Sequence, residues 1–528
     1  MKDIDKFPIV AIASSNDEKL GYLKAPVDAE VNYKQIDAIV RRALEVDTSD
    51  KSLKNIIKPD DWVVIKPNMV TSRSNPNCSY WYKGIPHPGQ VTDLRVIKSI
   101  INYIIENCNP RRITIAEGGA EWKKNDEPGT PPEQTEDGWT VHWPEFENLS
   151  YVDMVDDFNK GYPGLVDIID LNYDDIKFVA VPDPNNSGIG AFQRVGADRR
   201  SPEEYGREDY VPGTGTLRKG YYIPETILNC DKFISVPTMK THLCGTTLVL
   251  KNYIGILPNH PSGVVRKHDI HHGDVQKGFV DLASYHPADY SIIQGFWSTE
   301  GNGPQWGENI RHNVVIATAD PVAADAVGSA VMGFNPMDMD YIRYAARKGF
   351  GVYDLRHINV VGKTIKEVRR KFQRAVGRKG IGFCTRGNRI WMVKGGKDTE
   401  PRMFESEERY IDLTIHFCHD DTTSATAWVD INSARKQAGK LWASADGVMY
   451  IELNGQKVVE KNTSTGHIFA EYMVDIELKQ GVNQLVVYTE KGEKGFGFTA
   501  LICDESGDGL FDIDYSIDPS NREAVVPV

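Results

Sequence analysis

Apolar and amphipathic runs alternate along the first 120 residues. FPIVAIA (7–13) reads as a strand, and DWVVIKPNMV (61–70) as a buried-type strand ending in Lys-Pro-Asn. YKQIDAIVRRALEV (33–46) carries apolar residues at helical spacing. VTDLRVIKSIINYIIENC (91–108) predicts another helix, with Thr92 as its cap. RRITIAEGG (111–119) is the next strand and ends in Glu-Gly-Gly. Strand, helix, strand, helix predicts a parallel sheet with helices packed on it. Such sheets bind ligands beyond the carboxyl ends of their strands. Lys66, Asn68 and Glu117 fall at that end and are candidate substrate-binding residues.

The pattern breaks at about 120–220, a stretch rich in Pro, Gly, Asp and Trp. It reads as an irregular insertion, either a binding loop or an element without a ligand role. Alternation then resumes. FISVP (233–237), DYSIIQGF (289–296), NVVIATAD (313–320) and HINVVG (357–362) read as strands. PVAADAVGSAVMG (321–333) reads as a small-residue helix with Pro321 in its first turn and Asp320 as N-cap; Asp325 can reach inward. Near residue 398 the period becomes two, in short runs separated by turns such as Asn454-Gly455. The expected fold class is α/β, a parallel or mixed sheet with flanking helices, plus a C-terminal all-β jelly-roll sandwich. The expected division is an α/β domain over 1–397 and a β-sandwich over 398–528.

With 528 residues the chain suits two or three domains. Its 40% hydrophobic and 26% charged content is that of a soluble globular protein. No apolar run is long enough to span a bilayer, and the N-terminus lacks a secretory pattern. A net charge of −13 disfavours nucleic acid and anionic membrane as partners. Seven cysteines, none in CxxC spacing, argue against a disulfide framework or a zinc ribbon and suit a reducing cytoplasm. Cytoplasmic location is therefore expected, or secretion if a signal has been removed. Oligomerisation is left open.

PTMKTHLCGTTLVLKNYIGILPNH (237–260) sets Lys240, His242, Lys251, Asn252 and His260 in an otherwise buried-looking stretch. Each residue alone fits a satisfied core position. Together they describe a site. Lys240 and His242 end a strand. Gly245, Thr246 and Thr247 would present N–H groups and hydroxyls to an anion ahead of a helical stretch bearing Lys251 and Asn252. Arg266, His268, His271 and His272 follow, with His268 and His272 at i, i+4 spacing. Imidazoles suit a transition metal (Ni, Zn or Fe), and Lys and Arg suit carboxylates or phosphates. Candidate metal ligands are His242, His268 and His272. In STEGNGPQWG (298–307), Glu300 is a candidate base or metal ligand and Asn302 a hydrogen-bond donor; a tight turn whose acid caps a helix is the plainer reading. DESGDGLFD (504–512) lacks EF-hand spacing and reads as a turn closing the sandwich.

Two resemblances follow. VVIKPN (63–68), AEGG (116–119), VPTMKTH (236–242), TTLVLKNYIGILP (246–258), STEGNGPQWG and ATADPVAADAVG (317–328) make most of residues 5–365 resemble the "domain of unknown function 362" family. Many members carry a cysteine-rich iron–sulfur module; this chain lacks its cysteines, so no iron–sulfur cluster is expected. WASADGVMYIELNGQKV (442–458) and LKQGVNQLVVYTEKGEKGFGF (478–498) make roughly 400–515 resemble jelly-roll, galactose-binding-like domains appended to glycan-active enzymes. More remotely, the order His, Gly, Thr, Lys, "GILP", His is similar to nickel-pincer lactate racemases. That likeness implies cofactor anchoring by Lys251 and ligation or proton exchange by His242 and His268.

The expected function is an enzyme that binds an anionic small molecule, a sugar acid or hydroxy-carboxylate, over a metal or a metal-bearing organic cofactor. It would isomerise, epimerise or oxidise a C–OH carbon. Lys66, Lys240 and Arg266 would hold the anion. Lys240, His242, His268 and Glu300 would act catalytically. Asn68, Glu117, Asn252 and Asn302 would bind substrate, and Thr246, Thr247 and Lys251 the cofactor. The alternative is a non-catalytic carbohydrate-binding or ligand-sensing protein, with a glycan as partner.

Overall fold

The computed structural model describes residues 7–70, 87–119, 139–183, 187–188, 210–211, 216–217, 220–258, 275–304, 306–376, 385–396, 400–406, 408–417 and 421–517. The chain divides into two compact units, Met1–Phe383 and Cys384–Val528. The expected division at 397/398 lies too late. Strand Ile390–Gly395 pairs antiparallel with Ser424–Ser433 and so belongs to the second unit.

The first unit is built on an eleven-stranded mixed sheet. Its strands are β1 (Ile9–Ser14), β2 (Trp62–Lys66), β3 (Arg112–Glu117), β4 (Val166–Asp170), β5 (Lys232–Ser235), β6 (Thr238–His242), β7 (Gly245–Thr247), β8 (Tyr290–Asn302), β9 (Trp306–Arg311), β10 (Val314–Thr318) and β11 (Asn359–Gly362). The spatial order is β11-β1-β10-β8-β5-β2-β3-β4. β8 also pairs with β6 and β9, and β6 with β7. The block β8-β5-β2-β3-β4 is parallel throughout. Continuous apolar runs such as Val63, Val64 and Ile65 suit strands covered on both faces.

Helix α1 (Tyr33–Val46) begins with a capping box between Asn32 and Gln35 and buries Ile36, Ile39, Val40, Ala43 and Leu44. Helix α2 (Leu94–Asn107) is capped by Asp93, whose side chain accepts from Arg95 N–H. Thr92, the expected cap, instead accepts from Asn68 N–H (2.8 Å) and donates to Val236 O (2.7 Å). It ties the ends of β2 and β5 together.

The segment expected to be irregular is partly regular. Ser150 caps helix α3 (Tyr151–Gly161), β4 extends the main sheet beside β3, and Ile176–Ala180 pairs with Gly220–Pro224. Its remaining residues, 120–138 and most of 184–219, lie outside the described residues. Farther on, the short helix α4 (Val249–Asn252) and helix α5 (Val275–Ala283) lead to helix α6 (Pro321–Val331). Asp320 caps α6 as expected, accepting from Val322 and Ala323 N–H.

The second unit is a β-sandwich of two antiparallel sheets. One has seven strands and the other four. Every second residue of Ser424–Ser433 is buried, from Ala425 to Ser433, with Asp430 buried as well, the signature of a strand with one face on the core. Trp391, Val429, Ile431, Leu485 and Val487 of one sheet meet Leu441, Ala443, Leu478, Phe498 and Ile502 of the other in a single core. The Trp391 and Phe498 rings meet edge to face at 5.1 Å. Asn454 (φ 55°) and Gly455 (φ 77°) form the hairpin turn between Met449–Leu453 and Gln456–Lys461. The 504–512 stretch is a turn as expected, with Asp504 Oδ1 accepting from Ser506 and Asp508 N–H.

Candidate functional site

The carboxyl ends of the parallel strands gather the polar groups. β2 ends in Lys66, β3 in Glu117 and β5 in Ser235, with Lys66 and Ser235 paired in register. β6 continues from β5 and carries Lys240. Lys66 and Lys240 are fully buried and Lys251 is 8% exposed. Lysine is almost never buried this completely without a partner, so each nitrogen needs an account.

Lys66 Nζ donates to Glu117 Oε2 (2.5 Å), Asn252 Oδ1 (3.1 Å) and Pro67 O (3.1 Å). Asn252 Oδ1 also accepts from Asn68 Nδ2 (3.1 Å), while its Nδ2 donates to Ser235 Oγ (3.1 Å). Asn68 Oδ1 in turn accepts from Lys240 Nζ, which also donates to Gln90 O (2.7 Å). One chain of hydrogen bonds thus runs Glu117, Lys66, Asn252, Asn68, Lys240, Gln90. Gly255 closes over its start: a Cβ there would fall on the Glu117 carboxylate and the Lys66 nitrogen. Lys251 Nζ donates to Thr247 Oγ1 (3.3 Å) and lies 6.0 Å from the centre of the Phe279 ring.

Burial lowers the pKa of all three lysines, opposed at Lys66 by the Glu117 carboxylate. Lys240 is pushed well below the ordinary lysine value by burial and by the charges of Lys251 and Lys66, with Glu117 opposing. Glu117 is the one carboxylate among the described residues that acts on any of the three. Among the described residues the region is rich in lysine nitrogen and poor in counter-charge.

Residues 238–258 are held by a device the sequence suggested without specifying. Asp325, buried on α6, accepts from Val249 N–H (2.7 Å) and Leu250 N–H (3.0 Å), fixing the start of α4. These N–H groups therefore serve Asp325 and not a bound anion. Gly245–Thr247 is not a phosphate-type loop but β7, the second arm of a hairpin with β6. Thr246 Oγ1 is committed to Tyr341 Oη (2.7 Å) in the core, so Thr246 does not face a cofactor. Thr247 does reach the site, through Lys251.

Glu300 and Asn302 are not brought to the lysines. Thr299 stands opposite Lys240 in the sheet, so Glu300 points to the other face. There Glu300 accepts from Gln373 N–H (3.0 Å) near Arg370, and Asn302 Oδ1 accepts from Val376 N–H (2.8 Å). Both anchor the irregular 370–376 segment, and Glu300 sits in a strand and caps no helix there. Glu117, expected to bind substrate, is the counter-ion of Lys66.

His242 Nδ1 stands 3.0 Å from Cys244 Sγ at the tip of the β6–β7 hairpin. Arg266, His268 and His272 lie outside the described residues. Among the described residues no group of three His, Cys, Asp or Glu side chains could hold a metal ion. His242 and Cys244 do not make a metal donor set by themselves, and we assign no residue here as a metal ligand. Sequence reasoning missed Gln90, Ser235, Cys244 and His87. The HPGQ run at 87–90, with its proline-started turn, was the available signal for two of them.

Residues 185–330 match the family model described as "Domain of unknown function (DUF362)". That range holds Lys240, Lys251, Asn252 and Asp325; Lys66, Asn68 and Glu117 precede it. The expected likeness over most of 5–365 is thus matched over its later part. No curated protein matches the sequence. Among solved structures, β-glucosidase from Kluyveromyces marxianus aligns at 14% identity, over 22% of this chain and 16% of its own, with TM-score 0.18. A GH2 β-galacturonidase from Eisenbergiella tayi, bound to galacturonate, aligns at 10% identity over 22% and 23%, TM-score 0.17. A family 35 carbohydrate binding module from an environmental isolate aligns at 16% identity over 19% and 78%, TM-score 0.14. This chain thus spans less than a quarter of either glycosidase.

Proposed function

We propose that the α/β unit is an enzyme that binds an anionic small molecule, a hydroxy-carboxylate or sugar acid, and isomerises or epimerises it at a C–OH carbon. The observation that carries this reading is the placement of Lys66, Lys240 and Lys251 in a buried cluster served, among the described residues, by one carboxylate, Glu117. The cluster stands at the strand ends where α/β sheets hold ligands. Lys66, neutralised by Glu117, is a fixed structural cation. Lys251 has one described acceptor and is the cation with capacity for a substrate carboxylate. Lys240, whose pKa burial lowers well below the ordinary lysine value, is the group placed to take a proton from carbon or hydroxyl.

Thermal melting of the whole chain against glycolate, gluconate, galacturonate and neutral galactose tests the reading. The three acids are expected to raise the melting temperature and galactose is not. At a concentration of about 100 Kd the gain is about 2.7 kcal/mol. Lys251→Met should remove most of the shift while the unliganded protein still melts cooperatively. If no carboxylate shifts the melt, or if Lys251→Met responds like the wild type, the site is wrong.

A further inference from the structure

We propose that Lys240 is a nucleophile that forms a Schiff base with a carbonyl-bearing carboxylate of the 2-oxo acid class. This rests on the anion-binding reading above, takes Lys240 as nucleophile in place of the general base named there, and narrows the acid to one with a carbonyl next to its C–OH carbon.

The ground is the number of acceptors around each buried nitrogen. Lys66 Nζ has three, Glu117 Oε2, Asn252 Oδ1 and Pro67 O, which match the three N–H bonds of an ammonium. Lys240 Nζ has two, Asn68 Oδ1 and Gln90 O, and both are neutral. A neutral amine has two N–H bonds and one lone pair. The two acceptors take both hydrogens and leave the lone pair unshared. An ammonium there would bury a third N–H without an acceptor, and burial without a partner is costly for a charged group. The surrounding charges agree. Lys66 and Lys251 act on Lys240 against Glu117 alone, and Lys240 acts on His87 from the neighbouring turn. A lysine desolvated beside other cationic groups is the arrangement that makes an amine nucleophilic.

Two further groups belong to the same place. His87 is 2% exposed and precedes the turn Pro88–Gln90 whose last carbonyl binds Lys240. Its Nε2 lies 2.6 Å from Gly307 O, so Nε2 carries the proton and Nδ1 keeps a lone pair. His87 Nδ1 is buried without a hydrogen-bond partner. Thr299, opposite Lys240 in the sheet, also has its buried Oγ1 without one. Unpaired buried polar atoms call for an explanation. A carbonyl substrate that brings both an acceptor and a transferable proton supplies it.

The step balances without any other reactant. The Lys240 lone pair attacks the carbonyl carbon, and the C=O π pair moves to oxygen, which takes a proton from the nitrogen. Loss of the hydroxyl with the second nitrogen proton forms C=N and one water. His87 Nδ1 is the base that can carry protons between nitrogen and oxygen, and Lys251 holds the carboxylate. Protonated on nitrogen from solvent, the imine becomes the iminium that acidifies the neighbouring C–H, which is the proton an isomerase must move.

The test uses the whole protein, glyoxylate as a small carboxylate aldehyde, and cyanoborohydride to trap the imine at neutral pH. Peptide mass mapping reads which lysines carry the adduct. Lys240 is expected to be labelled at least ten-fold faster than the average exposed lysine. Glycolate, which has the same carboxylate but no carbonyl, should slow that labelling. Labelling confined to exposed lysines would overturn the proposal. In that event, a melting shift with glycolate would leave the anion site standing and remove only the Schiff base. Absence of both would remove the two together. Lys240→Met, monitored by its melt, should lose the adduct at this position and gain none at Lys66.

Discussion

At the residue scale, the pair Lys66–Glu117 separates a structural charge from a chemical one. Taking two ions out of water costs several kcal/mol each, and mutual attraction repays it only with good geometry. Here the geometry is good: a 2.5 Å contact and two further acceptors for the ammonium. Removing one partner leaves the other charge buried alone. Glu117→Gln is therefore expected to cost about 3–5 kcal/mol in urea unfolding. The double variant Lys66→Met, Glu117→Leu should recover much of that, because an apolar pair of similar volume has no unpaired charge. A loss below about 1 kcal/mol for Glu117→Gln would show that Lys66 does not depend on its carboxylate. The sequence placed both residues at strand ends but not against each other. Residues 66, 117 and 252 meet only after the sheet has closed, and their hydrogen bonds span up to 186 positions. Nothing local encodes such a contact. The same reason hid the turn of Glu300 away from the lysines: it follows from the register of β6 on β8.

At the scale of elements, the short helix α4 depends on a helix 70 and more residues later. Four residues do not make a stable helix alone, since nucleation is unfavourable. The Asp325 carboxylate supplies what α4 lacks by accepting its first N–H groups. Burial pushes the Asp325 carboxyl up from its ordinary 3.8 to about 8, against those two hydrogen bonds. The sign of the pH effect follows from proton counts. Between 3.8 and about 8 the folded protein holds a proton on Asp325 that the unfolded chain has released. Stability from this group is thus full below pH 3.8 and falls as pH rises towards 8, by on the order of 1.4 kcal/mol per unit. Lys240 acts in the opposite sense, because its folded pKa is lowered: the unfolded chain binds a proton the folded protein lacks. The difference between wild type and Asp325→Asn isolates the carboxyl. Urea unfolding from pH 4.5 to 7.5 should show the variant losing less stability with rising pH than the wild type. Parallel pH profiles would mean that Asp325 is ionised throughout. The elements themselves were largely legible. Helix 33–46 and the strands ending at Lys66 and Glu117 emerged from periodicity because each buries a continuous face. β7 did not, because Gly245-Thr-Thr has no alternation of its own and pairs only through the hairpin. α3 and β4 were hidden by the polar, proline-rich residues around them.

At the scale of the whole molecule, the change of period near residue 398 signalled a second unit but misplaced its first strand. IWMVKG (390–395) lies before the polar GGKDTEPR stretch (395–402), which looked like a linker. In the structure it pairs with Ser424–Ser433 on one side and Arg402–Glu405 on the other. Its inward side chains, Trp391 and Val393, are each 1% exposed. Trp391 meets Phe498 of the facing sheet, so the strand is part of the core and not an ornament on it. The sandwich has its own buried cluster and two complete sheets, the conditions for folding alone. A fragment of residues 384–528 should therefore melt cooperatively. A fragment of residues 398–528 loses the strand, uncovers the edge at Ala425–Trp428 and leaves the space of a tryptophan. Loss of a buried Trp side chain alone costs about 3–5 kcal/mol, and an unpaired edge adds a tendency to aggregate. The shorter fragment should melt about 10 °C lower, given the about 2–4 °C per kcal/mol of domains of about 150 residues, or fail to fold. The variant Trp391→Ala in the longer fragment separates the two causes. If it melts like the shorter fragment, the tryptophan dominates. If it melts well above, the backbone pairing of the strand carries the difference. Equal melting of the two fragments would place the boundary of the folding unit where the change in sequence period had put it.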